Sequence, residues 1–283
     1  MSEDVFSLCR PVIVSTPTID EVVYTHGRKT LLGGPGYHMS WIARAYGLAD
    51  LKVTGYVNKK DEPVFTRAIR ERGGNPLLAT TEEPTARVVL DYTGPRRKVR
   101  FIEEPPIIDA ELAERVKALN PLLLVASPIK EELPLEILKD LSSNAQWSIL
   151  DLQGYLRQGD PGEVLSVMPR RIVDVVHISN DDIPERIFDN YIDDVSIIAR
   201  HTVLYTLGEK GAVLLDPNGN PRLRARPSQT TETPSRGCGD VFTLAYGLFL
   251  CATWDPRKAF IEALMTSMYY ALNQPSQHTY KPI

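Results

Sequence analysis

The chain has 283 residues, 43% of them hydrophobic and 24% charged, and a formal net charge of −4 from 32 Lys and Arg against 36 Asp and Glu. This is the composition of a soluble globular protein long enough to bury a large core, as one large domain or two small ones. It excludes a nucleic-acid footprint, which needs a basic patch or stripe, and no apolar run approaches the roughly 20 residues of a membrane span. The cysteines Cys9, Cys238 and Cys251 have neither disulfide nor metal-ligand spacing, the five histidines are scattered, and the start Met-Ser-Glu-Asp lacks a basic and apolar leader. The expectation is a cytoplasmic protein of a reducing compartment, without a tightly held zinc site.

Taken in chain order, the apolar runs and helical patterns alternate. Val12–Val14 reads as a buried strand, Glu21–Leu32 as a hairpin turning near Gly27, and Gly36–Tyr46 as a helix. Strand Val53–Val57 and helix Val64–Arg72 follow, then a second hairpin over Ala86–Ile102 turning at Thr93-Gly94-Pro95. Helices Asp109–Leu119 and Pro134–Leu141 flank strand Leu122–Ala126, and further strands are Ser148–Leu150, Val173–Ile178, Val203–Thr206 and Val213–Leu215. The chain then closes with helices Asp240–Cys251 and Pro256–Leu272, the last opened by Asp255-Pro256, an N-cap acceptor followed by proline at the first helical position.

Continuous apolarity, rather than alternation, is what strands covered on both faces require. The order therefore predicts an α/β fold with a doubly wound parallel sheet flanked by helices. The two hairpins interrupt that order. They predict a small inserted β-sheet lid, from insertions at about 16–33 and about 84–104 within a single domain over residues 1–283. Edge strands of such a lid need covering, and pairing with a second copy in a homodimer is one way to cover them.

Ligands of open α/β sheets bind outside the carboxyl ends of the strands. Polar residues follow the predicted strands there: Ser15-Thr16 and Asp20, then Asp151-Leu-Gln153-Gly154-Tyr-Leu-Arg157, then Ser179-Asn180-Asp181-Asp182, then Gly208-Glu-Lys-Gly211 after Thr206. Two glycine-rich turns stand at strand-to-helix junctions. Gly33-Gly34-Pro35-Gly36-Tyr37-His38 has neither dinucleotide nor P-loop spacing; its bare backbone suits a small polar ligand with His38 as a hydrogen-bonding group, or a tight turn before a packed helix. The other is Ser235-Arg236-Gly237-Cys238-Gly239-Asp240. Gly237 and Gly239 let successive N–H groups converge on one point, and the following helix adds unpaired donors and the positive end of its dipole. Such a turn suits an anion, and Asp240 beside it suits a base acting on whatever attacks that anion. The same residues also read as an ordinary helix cap with a solvated aspartate.

Other polar features read as structural. His177 is expected to be a core histidine with a backbone partner, and Trp41, Trp147 and Trp254 are expected in the core. Met268-Tyr269-Tyr270 continues a packed helix, and Arg96-Arg97-Lys98 is a solvated turn.

In this order, Asp20, Gly33-Gly34, Thr206-Leu-Gly208 and Gly237-Cys-Gly-Asp240 resemble the ribokinase-like (PfkB) carbohydrate kinase family from end to end. The runs from Gly33 to Ser40 and from Asp151 to Arg157 are more similar to an archaeal and bacterial sugar-kinase branch. The resemblance implies a Rossmann-like core with a β-lid, and transfer of the ATP γ-phosphate, with Mg²⁺, to a hydroxyl of a small sugar, polyol or nucleoside. It implies Asp240 as base, Gly237, Cys238 and Gly239 as anion hole, and Asp20, Gly33, Gly34 and His38 as contacts of substrate hydroxyls. Asn180, Thr206, Gly208 and Gly211 are implied on the nucleotide side, and Asp151, Gln153 and Arg157 at the junction of substrate and phosphate.

Three departures stand out: Cys238 for alanine, His38 for asparagine, and Asn180-Asp-Asp-Ile183 without the family's Glu, which leaves Asp182 as the nearest carboxylate for a metal. Two other readings remain. One is a catalytically impaired ligand-binding relative; the other is a hydrolase or acyltransferase using Cys238 as a thiolate nucleophile with His38 or His177 as base.

Overall fold

The computed structural model describes residues 6, 8–94, 97–157, 159–229, 236–273 and 277–281. Pro95 of the second hairpin turn and Arg96 of the basic cluster lie outside the described residues. In chain order the strands are β1 (Pro11–Val14), β2 (Thr18–Tyr24), β3 (Gly27–Gly33), β4 (Lys52–Thr54), β5 (Tyr56–Asn58), β6 (Asn75–Pro76), β7 (Ala79–Thr81) and β8 (Arg87–Asp91). They continue as β9 (Lys98–Glu103), β10 (Leu123–Ala126), β11 (Trp147–Asp151), β12 (Val173–Ser179), β13 (Ala199–Thr206), β14 (Ala212–Leu215) and β15 (Pro221–Ala225).

Among the described residues one sheet has nine strands, ordered β15-β14-β13-β12-β11-β10-β1-β4-β6. It is parallel from β13 to β6, and β14 and β15 add an antiparallel edge. Successive residues of the central strands face opposite layers. Val12, Val14, Leu124 and Ala126 join one core with Leu112, Val116 and Leu138, whereas Ile13, Leu123 and Val125 join the other with Ile42, Leu244 and Phe260. Burial on both faces is why these strands read as unbroken apolar runs. The doubly wound α/β expectation is therefore borne out.

The two segments read as hairpins meet in a separate four-stranded sheet, ordered β3-β2-β8-β9. The hairpins β2–β3 and β8–β9 are antiparallel, and β2 pairs parallel with β8 across their join. The carboxyl-terminal segment reinforces its β3 edge, where Leu32 N–H donates to His278 O (2.9 Å) and Tyr280 N–H to Thr30 O (3.0 Å).

Two expected elements split. The run Val53–Val57 divides at Gly55 into β4 and β5, which belong to different sheets, because the backbone there passes so near Ser15 O that a Cβ would lie 2.0 Å from it. The predicted helix Gly36–Tyr46 is two helices, Pro35–Met39 and Trp41–Tyr46, meeting at Ser40, whose hydroxyl bonds back to Tyr37 O (2.7 Å). Trp254 is a correction: at 63% exposure it is not core, and it stands at the left-handed C-cap of helix Cys238–Thr253, edge-on to the buried Trp147. A residue that ends a helix in that conformation is turned out of the packed face. Among the described residues no helix is long and apolar enough to cross a membrane.

Helix Cys238–Thr253 carries the glycine turn and is buried from Val241 through Leu250. It lies almost on the sheet at Gly247, where a Cβ would come within 2.7 Å of Ile149 Cδ1 and 3.0 Å of Leu123 Cδ1. Gly247→Val should overpack this contact at a cost of about 1–3 kcal/mol, seen as a lower urea midpoint with an unchanged m value.

Candidate functional site

Gly237 caps this helix with φ +79°, a left-handed conformation that favours glycine. Its missing side chain has a second purpose: a Cβ there would sit 2.3 Å from Cγ of His38, so the turn rests directly on the imidazole. His38 in turn bonds Tyr270 OH through Nδ1 (3.0 Å). Burial, then the charges of Arg236 and Arg72, hold the His38 pKa well below its ordinary value. Helix-first-turn N–H groups have no acceptor within their own helix, so Cys238, Gly239 and Asp240 present donors at the positive end of the dipole.

Gly237, Cys238, Gly239 and Asp240 open onto a cavity of about 610 Å³. Residues at the carboxyl ends of the parallel strands line it: Asp151 at the end of β11 and Gln153 after it, His177 and Ser179–Asp182 at β12, and Thr206 at the end of β13 with Gly208 and Gly211 after it. The cavity thus lies over the carboxyl ends of β11, β12 and β13, outside the strands where open α/β sheets bind ligands. Tyr92 and Arg97, between β8 and β9, and Leu264, Met268 and Leu272 of helix Pro256–Leu272 also line it.

A short relay of side chains leads to Asp240. Arg157 Nη2 donates to Gln153 Oε1 (2.5 Å), and Gln153 Nε2 donates to Asp240 Oδ1 at the long limit of 3.5 Å. Gln153 N–H donates to Asp151 Oδ1 (3.1 Å), whose other oxygen lies 3.2 Å from His177 Nδ1 as an ion contact without hydrogen-bond geometry. His177 Nε2 meets Thr206 Oγ1 at 3.1 Å. Burial alone would lower the His177 pKa, but the Asp151 charge reverses this and raises it above its ordinary value.

Asp240 has its pKa pushed up to about 7, first by burial and then by the Asp151 carboxylate, against the pull of Arg157, His177 and Arg97. Such a carboxyl can exchange a proton near neutrality, which makes Asp240 a candidate site residue. Also lining the cavity, Asp182 Oδ2 accepts from Ser179 N–H (3.0 Å) and Ser179 Oγ (2.6 Å), and burial raises its pKa too.

Not every expected residue reaches this cavity. Arg157 faces a second cavity of about 400 Å³, shared with Arg97, Lys130 and Asp182. Asp20, Gly33, Gly34 and His38 line neither. The space a Gly33 Cβ would fill is taken by the Asp20 carboxylate, 2.1 Å away, and that of Gly34 by Thr16 O at 2.5 Å. Asp20 itself is held by Arg236, with both side chains buried.

Some readings need correction. His177 is buried but has side-chain partners, Asp151 and Thr206, and it lines the cavity, because it stands near the carboxyl end of β12. Arg97 is not in a solvated turn. Its guanidinium reaches Asp181 Oδ2 (3.1 Å) and lines both cavities. Met268 and Tyr270 do more than continue a helix, since one lines the cavity and the other bonds His38. Arg236 was not singled out by sequence reasoning either; its adjacency to Gly237 was the available signal. Thiol chemistry is not favoured by this arrangement. His177 directs its ring nitrogens to Asp151 and Thr206, His38 Nδ1 bonds Tyr270, and Cys238 Sγ points to Ser267 O at 3.9 Å.

These features define a ribokinase-like fold with its crevice between sheet and glycine turn. No protein-family model matches the chain, and no curated protein does. Among solved structures it is similar to a pyrophosphate-dependent kinase in the ribokinase family complexed with a pyrophosphate analog and myo-inositol, at 14% identity and TM-score 0.74, over 96% of this chain and 97% of that one. It is similar to ribokinase of Arabidopsis thaliana complexed with ribose and ATP, at 15% identity and TM-score 0.68, over 94% and 93% of the two chains. Adenosine kinase from Sinorhizobium meliloti aligns at 14% identity and TM-score 0.69, over 91% and 92%.

A carboxyl whose folded pKa exceeds its ordinary value of 3.8 costs stability progressively as pH rises toward about 7. Asp240→Asn removes that cost. Its melting temperature should exceed that of the parent chain, and the gap should widen from about pH 5 to about pH 8.

Proposed function

We propose that this chain is a kinase that transfers a phosphoryl group from a nucleotide or pyrophosphate donor to a hydroxyl of a small sugar, polyol or nucleoside. The observation that carries the reading is Asp240, a buried carboxyl with a pKa of about 7 at the mouth of an apolar helix, opening with the Gly237–Gly239 turn onto one cavity. The ligands named for the similar structures, myo-inositol with a pyrophosphate analog and ribose with ATP, support the acceptor class and both donor chemistries.

Phosphoryl transfer needs alignment, a proton acceptor and neutralisation of the moving charge, and little covalent help. Asp240 takes the acceptor's hydroxyl proton, worth roughly 10²–10⁴-fold. The N–H groups of Cys238, Gly239 and Asp240 face the charge that develops on the phosphoryl oxygens, and one such donor is worth about 3–4 kcal/mol by analogy with oxyanion holes. Arg157, through Gln153, keeps Asp240 oriented. The loops Ser179–Asp182 and Thr206–Gly211 hold the donor, and the small sheet acts as a lid that keeps water from competing with the acceptor.

The donor set for Mg²⁺ is sparse: among the described residues no three His, Cys, Asp or Glu side chains form a metal cage. Mg²⁺ needs only one or two carboxylates when donor phosphates and water complete its shell, so the residues fit an ion that arrives with the donor. Asp182, with Oδ1 not bonded to Ser179, is the carboxylate that would receive it, and the ion would offset phosphate charge. The reading extends to a cytosolic enzyme and to a homodimer through the small sheet, where β9 has no further strand beside it among the described residues.

Incubation with ATP or pyrophosphate and a panel of sugars, polyols and nucleosides should give phosphorylated product. Asp240→Asn should keep acceptor binding and lose roughly 10²–10⁴-fold in kcat, and the parent's kcat should fall as pH drops below about 7. Near-normal turnover by Asp240→Asn rejects Asp240 as the base. Cys238→Ala should retain activity, because the turn acts through its backbone.

A further inference from the structure

Resting on the kinase reading, we propose that Arg236 is a positioning residue for phosphoryl transfer. Asp20 is its anchor, so that the small sheet holds the anion-binding turn in place through one buried ion pair. Arg236 immediately precedes Gly237 and is 3% exposed; Asp20 lies on β2 and is 5% exposed. Arg236 Nη2 contacts Asp20 Oδ2, and Nη1 donates to Gln277 Oε1 (3.1 Å) in the carboxyl-terminal segment that borders β3.

The pocket for this pair is built into both partners. Gly33 on β3 has no side chain where the Asp20 carboxylate lies, and Thr18 Oγ1 donates to Asp20 Oδ1 (2.5 Å). Both Asp20 oxygens are thus engaged within the protein, and Asp20 lines neither cavity. A carboxylate so committed fixes a guanidinium. Arg236 sits one residue before the φ +79° position that aims the Cys238–Asp240 N–H groups. The turn is therefore clamped from two sides, by Arg236 on Asp20 and by the His38 ring behind Gly237. Removing the Asp20 charge leaves the Arg236 guanidinium buried without its partner, and removing Arg236 strands Asp20 and frees the turn from the small sheet.

The full chain carrying Asp20→Asn, Arg236→Gln, Arg236→Lys, and Asp20→Asn with Arg236→Gln tests this. Each single variant should lose about tenfold or more in kcat while the acceptor KM changes less than about threefold, and the double variant should be no worse than the poorer single one, because the pair acts as a unit. The rise in melting temperature given by inorganic phosphate should shrink in all four. Asp20→Asn that raises the acceptor KM about tenfold at unchanged kcat would mean that Asp20 binds acceptor, and the proposal falls. It falls equally if the Arg236 variants keep parental kcat and phosphate protection.

Should Arg236→Gln not fold, Arg236→Lys and Asp20→Asn decide the matter, since lysine keeps the charge but lacks the fork. Should the parent transfer no phosphoryl group, the kinase reading fails by itself. Phosphate protection then decides the role of Arg236, and its absence from the parent overturns that role as well.

Discussion

A carboxylate buried at the positive end of an apolar helix sets the terms for everything around it. Helix Cys238–Thr253 is buried along most of its length, so Asp240 at its mouth is taken out of water with it. The dipole and the first-turn N–H groups offset part of the desolvation cost, and Arg157, His177 and Arg97 offset more, yet the Asp151 charge adds to it. The balance leaves a carboxyl poised near neutrality rather than a permanently ionised one. In the same balance His177, near the carboxyl end of β12, lies against Asp151 and softens the repulsion between two aspartates.

Precision at this site comes from close backbone approach. The helix lies on the sheet at Gly247 and the turn lies on His38 at Gly237, so neither has room to drift. The small sheet contributes charge from above, with Arg97 reaching Asp181 on one side and Asp20 holding Arg236 on the other. Lys130, which donates to Glu104 Oε2 (2.5 Å) and approaches the Phe101 ring, adds a further tie between the sheets. These contacts make the two sheets one electrostatic unit around the cavity.

Much of the architecture was legible in the residues because its signals are local. Unbroken runs such as Val12–Val14 and Leu122–Ala126 announce strands covered on both faces, and Asp255-Pro256 announces a helix start that the structure realises, with Asp255 Oδ1 accepting from Arg257 N–H (2.9 Å). The short helices Gln153–Leu156, Glu185–Phe188 and Ile192–Ser196 gave no such signal, since one turn is too short for a period to register. The split at Gly55 was also hidden, because it follows from the approach of Ser15, a residue distant along the chain.

The sequence by itself determined the layered α/β order and the glycine turn with its aspartate, because strand burial and helix capping are written in adjacent residues. Tertiary structure alone decided which charges meet. Asp20 and Arg236 are 216 positions apart, and nothing near either one names the other. It likewise decided that Arg97 reaches Asp181 and that His177 faces Asp151. Such partners are chosen by the crossing of strands and the docking of a second sheet, and the energy of a buried charge depends on distances that exist only once the chain has folded.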